Sequence, residues 1–251
     1  MSAATKSRRR AAGRRPGASD RGAQKPRGGL RVVATGSENA SLTDQAYRRL
    51  EELIVTLQLA PGSVVSESAL SKRLGIGRTP IREALQRLAR ERLVVVLPRR
   101  GIMVSDINVS TQLRLLEARR ELERLIARRA ARRASDAERQ RFREIADGMT
   151  EAAHKDDHIA FLRLDHEFNG LTLQAARNEF AAGAMTLMQG LARRFWFIHH
   201  EKVADLPLTA LLHAEIARAI AAANEAAAGQ ASDKLIDYVE ECARATVADS
   251  V

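Results

Sequence analysis

From Val109 to the C-terminus, apolar residues recur at three-four spacing almost without interruption, and no strand pattern competes with them. That periodicity leaves a helical bundle as the fold for residues 108–251, a normal domain size. About six helices are expected, near 110–133, 136–154, 157–176, 178–201, 207–227 and 231–247. The breaks fall at Ser135-Asp136, Lys155-Asp156-Asp157, Arg177-Asn178, Leu206-Pro207 and Gly229. A chain of 251 residues has room for a second, smaller domain ahead of this bundle.

That domain begins near Ser41. Leu42, Ala46, Leu50, Leu53, Ile54 and Leu57 follow a helical spacing, which Ala60-Pro61-Gly62-Ser63 must end. Ser66 is placed to cap a short second helix carrying Leu70 and Leu74, stopped by Gly75. A third helix buries Ile81, Ala84, Leu85 and Leu88, with Pro80 in its first turn and either Gly77 or Thr79 as its cap. The β-branched run Leu93–Leu97, the turn Pro98-Arg99-Arg100-Gly101 and the return strand Ile102–Val104 complete a compact unit over 41–107.

Residues 1–40 are rich in Arg, Gly, Ala and Ser and show no apolar period, so they are expected to be a disordered arm. The charge is uneven. Ten Lys and Arg face two acids in 1–40, eleven face seven in 41–107, and twenty face twenty-two beyond, within a net charge of +10. The positive part of the chain suits a polyanion. For the arm, a non-specific DNA contact and a dispensable extension both fit its composition. The single Cys242 excludes a disulfide framework and a cysteine zinc finger, and suits a reducing cytoplasm. No stretch is apolar enough to span a membrane, and no apolar run follows the basic N-terminus as a secretory signal requires.

Two short helices joined by Gly75-Ile76-Gly77, the second crowded with arginine, have the sequence form of a helix-turn-helix. Arg78, Thr79 and Arg82 occupy the leading end of the second helix, where side chains can reach base edges in the major groove. An arginine fork pairs bidentately with guanine O6 and N7, or with phosphate. Arg99 and Arg100 beside Gly101 suit the tip of a wing touching backbone or minor groove. The plainer alternative is a small helical domain with a solvated arginine face.

Residues 41–107 resemble the DNA-binding domain of the GntR family of bacterial transcription regulators. The resemblance rests on Leu59-Ala60-Pro61-Gly62, on Ser66-Glu67 with Leu70, and on the run from Leu74 through Arg78-Thr79-Pro80-Ile81-Arg82-Glu83-Ala84-Leu85. Pro98-Arg99-Arg100-Gly101 and Val104 extend it through the wing. It implies a winged helix-turn-helix in which Arg78, Thr79 and Arg82 contact DNA, with Glu67 and the wing residues Arg99, Arg100 and Gly101 alongside. Ser68 stands where many members have Arg, and Gly77 where they have Ser, which bears on operator preference.

Residues 110–247 resemble the FCD effector domain of the FadR-like subfamily, through Glu117-Ala118-Arg119 with Glu123, Asp165 to Phe168, Asn178, Phe195-Trp196, and His213 with Ile216, Ala219 and Ile220. The resemblance implies a homodimer that holds a small effector, often a carboxylate, which Arg119 would neutralise. An ion pair between Arg119 and Glu123, four residues on, is the other role open to that arginine. Many such domains bind a divalent metal through an Asp, a His four residues later and two further His. Here Asp165 and His213 match, but Asn169 replaces one His, and Leu235, or Tyr238 after a short shift near Gly229, stands for another. Three readings stay open for Asp165, Asn169 and His213: metal ligands, direct effector contacts, or satisfied polar groups inside the bundle. His199 and His200 beside Phe195-Trp196-Phe197 read as a helix end whose aromatics pack in the core.

An enzyme is not expected, because HExxH, GxSxG, a P-loop and a post-strand GxGxxG are all missing from the sequence. A helical protein binding RNA or an acidic partner would leave the wing unexplained. The expected protein is a mainly helical, sequence-specific DNA-binding regulator, by family habit a repressor, whose operator affinity responds to an effector.

Overall fold

A computed structural model describes residues 41–203 and 205–248, without the side chains of 200–203, 247 and 248. The expectations for the arm at 1–40 and for the His200 side chain lie outside the described residues.

The N-terminal unit opens with helix α1 (Leu42–Val55), capped by Ser41 Oγ, which accepts from the Asp44 N–H at 3.1 Å. Its inner face carries Ala46, Tyr47, Leu50 and Ile54, while Leu42 is exposed and Leu57 lies past the helix end at a φ of 61°. Helix α2 (Glu67–Leu74) is capped by Ser66 and ends on Gly75 in the left-handed conformation. Helix α3 (Arg78–Arg90) starts from Gly77 with no side-chain cap and buries Ile81, Ala84, Leu85 and Leu88, as the apolar spacing predicts. Strands β2 (Val94–Leu97) and β3 (Gly101–Val104) form the expected antiparallel hairpin. The sequence pattern did not reveal β1 (Val64–Val65), which pairs with the other edge of β3. Two residues are too short to show an alternation.

At the far end of α3, Tyr47 donates to Glu91 at 2.9 Å and Arg87 lies 3.6 Å over the tyrosine ring. Glu91 is buried, but Tyr47 and Arg87 both serve it, so its charge is compensated. Burial first, then the nearby carboxylates, push the Tyr47 phenol well above its usual range.

The bundle comprises α4 (Val109–Arg133), α5 (Asp136–Lys155), α6 (His158–Ala176), α7 (Glu179–Val203), α8 (Leu206–Ala221) and α9 (Glu225–Ala248). Helix α4 packs on α6, α7 and α9, while α5 packs on α6 and α8. Three expected breaks stand where the sequence puts them; the fourth falls just ahead of Leu206-Pro207, which open α8 behind the Asp205 cap, and the fifth does not stand. Gly229 lies inside α9, and the chain turns earlier, at Ala222–Asn224, where Ala223 takes a φ of 57° and Asn224 Oδ1 caps α9. A Cβ on Gly229 would come within 3.1 Å of the Arg128 side chain. That glycine permits α4 and α9 to approach closely and does not stop a helix. Among the described residues, no helix is long and apolar enough to cross a membrane.

Candidate DNA-reading surface and effector pocket

The first turns of α2 and α3 and the strands of the wing enclose a surface hollow lined by Glu67, Arg78, Arg82, Leu97 and Gly101. Arg78, Thr79 and Arg82 are exposed on the leading end of α3, and Arg99 and Arg100 are exposed at the hairpin tip. The helix has no acidic residue in its first turn. The N–H groups and partial positive charge at its start therefore meet no acid within that turn.

Within this hollow Arg82 is already engaged. Its Nε and Nη2 donate to both Glu67 oxygens at 2.8–3.1 Å. That contact with Arg82, with Arg78 adding to it, holds the Glu67 carboxyl below its usual range. Glu67, expected among the DNA contacts, lines the hollow as the partner of Arg82. Gly101 has a local reason to be glycine: its φ is 109°, and a Cβ would sit 2.7 Å from the Val65 carbonyl oxygen. Close approach of β1 to β3 accounts for that residue independently of any ligand.

In the bundle a second cavity lies between α4, α6, α7, α8 and α9, with about 540 Å³ of atom-free space, partly open to solvent. Arg119 and Glu123 line it from α4, Phe168, Asn169 and Thr172 from α6, Met185 and Gln189 from α7, His213 from α8, and Ser232 and Leu235 from α9. Apolar walls with a few convergent polar groups are the usual make-up of a small-molecule site. Arg119 and Glu123 pair with each other, Nη2 to Oε1 at 2.6 Å. Both remain partly exposed, at 21% and 18%, so the pair forms part of the pocket wall.

Asp165, Asn169 and His213 come together at one side of this cavity. Asn169 Nδ2 donates to Asp165 Oδ1 at 3.0 Å, and His213 Nε2 lies 3.1 Å from the same oxygen. His213 Nδ1 faces the Thr209 carbonyl at 2.8 Å, and Phe161 and Phe168 set their rings edgewise to the imidazole. The metal reading does not fit this set. Leu235 fills the place of a further ligand, and the Tyr238 hydroxyl is turned to the Asp205 backbone, accepting its N–H at 2.6 Å. Among the described residues, no three His, Cys, Asp or Glu lie close enough to share an ion. A closed transition-metal site needs more nitrogen or carboxylate donors than one Asp and one His.

Met185, Gln189 and Ser232 belong to the pocket but escaped the sequence reading. For Gln189 and Ser232 a polar residue on an otherwise apolar helix face was the only mark, and many core helices carry such a residue; Met185 reads as one more core position. Phe195 packs against His199 at 4.5 Å between ring centroids and is buried, as expected. Trp196 is only half-buried, however, and Phe197 is exposed on the other side of α7, so the cluster does not pack in the core as a whole.

Comparison with known proteins agrees with the two-part architecture. Residues 42–104 match the model described as bacterial regulatory proteins, gntR family, and residues 114–238 match the FCD domain model. The HTH-type transcriptional repressor RspR of Escherichia coli K12 is 25% identical over 203 residues, 81% of this chain and 89% of that protein. The Nta operon transcriptional regulator of Aminobacter aminovorans is 30% identical over 129 residues, 51% of this chain and 60% of that protein. Among solved structures, E. coli McbR/YncC superimposes with a TM-score of 0.68 at 18% identity, covering 83% of this chain and all, 100%, of that one. A putative GntR regulator from Rhodococcus gives 0.59 at 21% identity, covering 82% and 99%. At such identities these structures speak for the fold alone.

Proposed function

The chain belongs to the GntR family of bacterial regulatory proteins and carries a C-terminal FCD domain, and from that premise we propose that it is an effector-controlled repressor. As a family member it is a DNA-binding transcriptional regulator, and the family is regulatory, not catalytic. The proposed division is a basic arm at 1–40, a DNA-binding domain at 41–107 and an effector-binding, dimerising domain at 108–251. Two copies would present their α3 helices to half-sites about 34 Å apart, one turn of duplex.

The observation that carries this reading is the exposed cluster of Arg78, Thr79 and Arg82 at the acid-free first turn of α3, beside the wing. Helix N-termini and arginine forks suit phosphates and guanine edges. Repression follows the named role of RspR, the E. coli relative. The proposed effector is a small molecule with a carboxylate for Arg119. It must also answer Glu123, which otherwise loses its partner in a half-closed site. Asn169, Gln189 and Ser232 supply the remaining hydrogen bonds, while His213, whose ring nitrogens face Asp165 and Thr209, forms part of the wall.

Selection of duplexes from a random-sequence pool tests the DNA half. An enriched inverted repeat is expected; a pool without any preferred sequence contradicts it. A thermal-shift panel of small carboxylates and amino acids tests the effector half. A raised melting temperature that Arg119→Ala abolishes is expected, and one that Arg119→Ala leaves unchanged removes Arg119 from the site.

A further inference from the structure

Helix α7 touches both the pocket and the DNA-binding domain. Met185 and Gln189 line the pocket. Within the next five residues, about 8 Å along the helix axis, the same helix meets the N-terminal unit with Gly190, Arg193 and Arg194. Gly190 is pressed against Leu93, so closely that a Cβ would lie 2.6 Å from its Cδ1. Arg193 pairs with Glu51 of α1 at 3.0 Å. Leu191 packs against the DNA-domain core.

Arg194 is the unusual member. It is only 2% exposed. Its Nη1 donates to the Ser105 carbonyl at 2.9 Å, and its Nη2 donates to Ser105 Oγ and the Asp106 carbonyl at 3.0 Å each. Among the described residues its Nε has no hydrogen-bond partner. Burial lowers its pKa to about 10, with the Asp106 charge working against that shift, so it stays cationic at neutral pH. A guanidinium is costly to bury with only carbonyl and hydroxyl partners. It is a strained choice for a residue that served packing alone.

Ser105 and Asp106 form the connection between β3 and α4. Ser105 is in turn fixed to Leu93 at the foot of β2, through its N–H at 3.1 Å and its hydroxyl at 3.0 Å. Arg194 and Gly190, four residues apart on one face of α7, therefore grip the same Leu93–Ser105 junction. That junction sets where the wing and α3 stand relative to the bundle.

We propose that α7 relays pocket occupancy to the DNA-binding domain, with Arg194 the positioning residue that holds the Ser105–Asp106 connection to it. The proposal rests on the effector-controlled reading above and names its path. A ligand against Met185 and Gln189 shifts or turns α7, and the junction five residues on must follow or break. The competing path runs along α4, which carries Arg119 and Glu123 and is joined to the wing by the chain itself. In that case Arg194 is dispensable for coupling.

The test uses the full chain and a duplex enriched by the wild-type protein. Leu173 also lines the pocket from α6, so Leu173→Trp and Asn169→Trp both fill it from that side and stand in for a ligand. Either is expected to change duplex Kd by about fivefold or more, the lower range of allosteric couplings. In an Arg194→Met background the same substitutions should change Kd by less than about twofold, with Arg194→Lys intermediate. If Arg194→Met does not fold, Gly190→Ala supplies the second arm. It should reduce the coupling by wedging the junction, and Leu93→Val, which removes the clashing atom, should restore it. Full coupling retained in Arg194→Met, or in Gly190→Ala, overturns the α7 path and leaves effector control standing. If neither Trp variant moves Kd in the wild-type background, effector control through this pocket fails and the α7 path fails with it.

Discussion

The guanidinium of Arg82 in α3 makes a forked contact with the carboxylate of Glu67, the first residue of α2, with Nη2 2.8 Å from Oε2. Both side chains are accessible, at 61% and 29%, so the pair adds little stability. Its consequence is orientation: one arginine of the proposed reading edge is held in a fixed direction before DNA arrives. Glu67→Gln should therefore weaken discrimination between duplexes while strengthening non-specific binding. The slope of log K against log salt should steepen by roughly 0.9, one phosphate's worth. Titrations of enriched and scrambled duplexes at several salt concentrations check both effects. Unchanged discrimination would remove Glu67 from any positioning role.

Gly101→Ala should destabilise the wing itself. Both the φ of 109° and the Val65 oxygen 2.7 Å away oppose a side chain there. A cost on the order of 1–3 kcal/mol is expected for strain of this kind. Thermal unfolding reads it directly. Loss of DNA binding in this variant with no fall in melting temperature would mean that Gly101 acts through a contact and not through the fold.

The cavity residues lead to a constructive test of the metal question. Asn169 already sits beside Asp165 and His213, so Asn169→His would supply a third ligand. Zinc should raise the melting temperature of that variant and leave the wild type unmoved. A zinc-induced shift in the wild type would show that Asp165 and His213 suffice.

Acid should unlock the start of α5. Partial burial works against ionisation of Glu138, yet its hydrogen bonds to Arg177 and to Ser135 prevail and hold the carboxyl below its usual range. A carboxylate depressed in the folded state contributes stability that is present above the unfolded value. That contribution is lost as pH falls through the lower folded value. Glu138→Gln should thus flatten the loss of stability on acidification below about pH 4.5, near the ordinary glutamate value. At neutral pH it should cost on the order of 1 kcal/mol, as capping residues do. Identical acid-unfolding curves for variant and wild type would exclude this role.

Where short-range chemistry decides structure, the sequence was legible. Ser66, Gly75, Ser135 and Asp157 cap or end helices as their types suggest, and Ile81 to Leu88 bury the face that their spacing marks. Gly229 misled because a glycine within a helical pattern can mean a stop or a close helix contact, and only the facing Arg128 decides between them. The same limit hid the partners of the site residues. Arg82 could be read as exposed and cationic, but Glu67 as its partner depends on how α2 crosses α3. Nor does anything local to Arg193-Arg194 separate it from the many arginine pairs of this chain. Its burial against Ser105 arises from packing across 89 residues of sequence.

The most direct test of the central claim is competition binding by Arg78→Ala against a duplex enriched by the wild-type protein and against its scrambled counterpart. The account predicts a loss of about 1–3 kcal/mol on the enriched duplex, concentrated at the base pairs that Arg78 reads, with a much smaller loss on the scrambled one. Equal affinity of variant and wild type for the enriched duplex would contradict it.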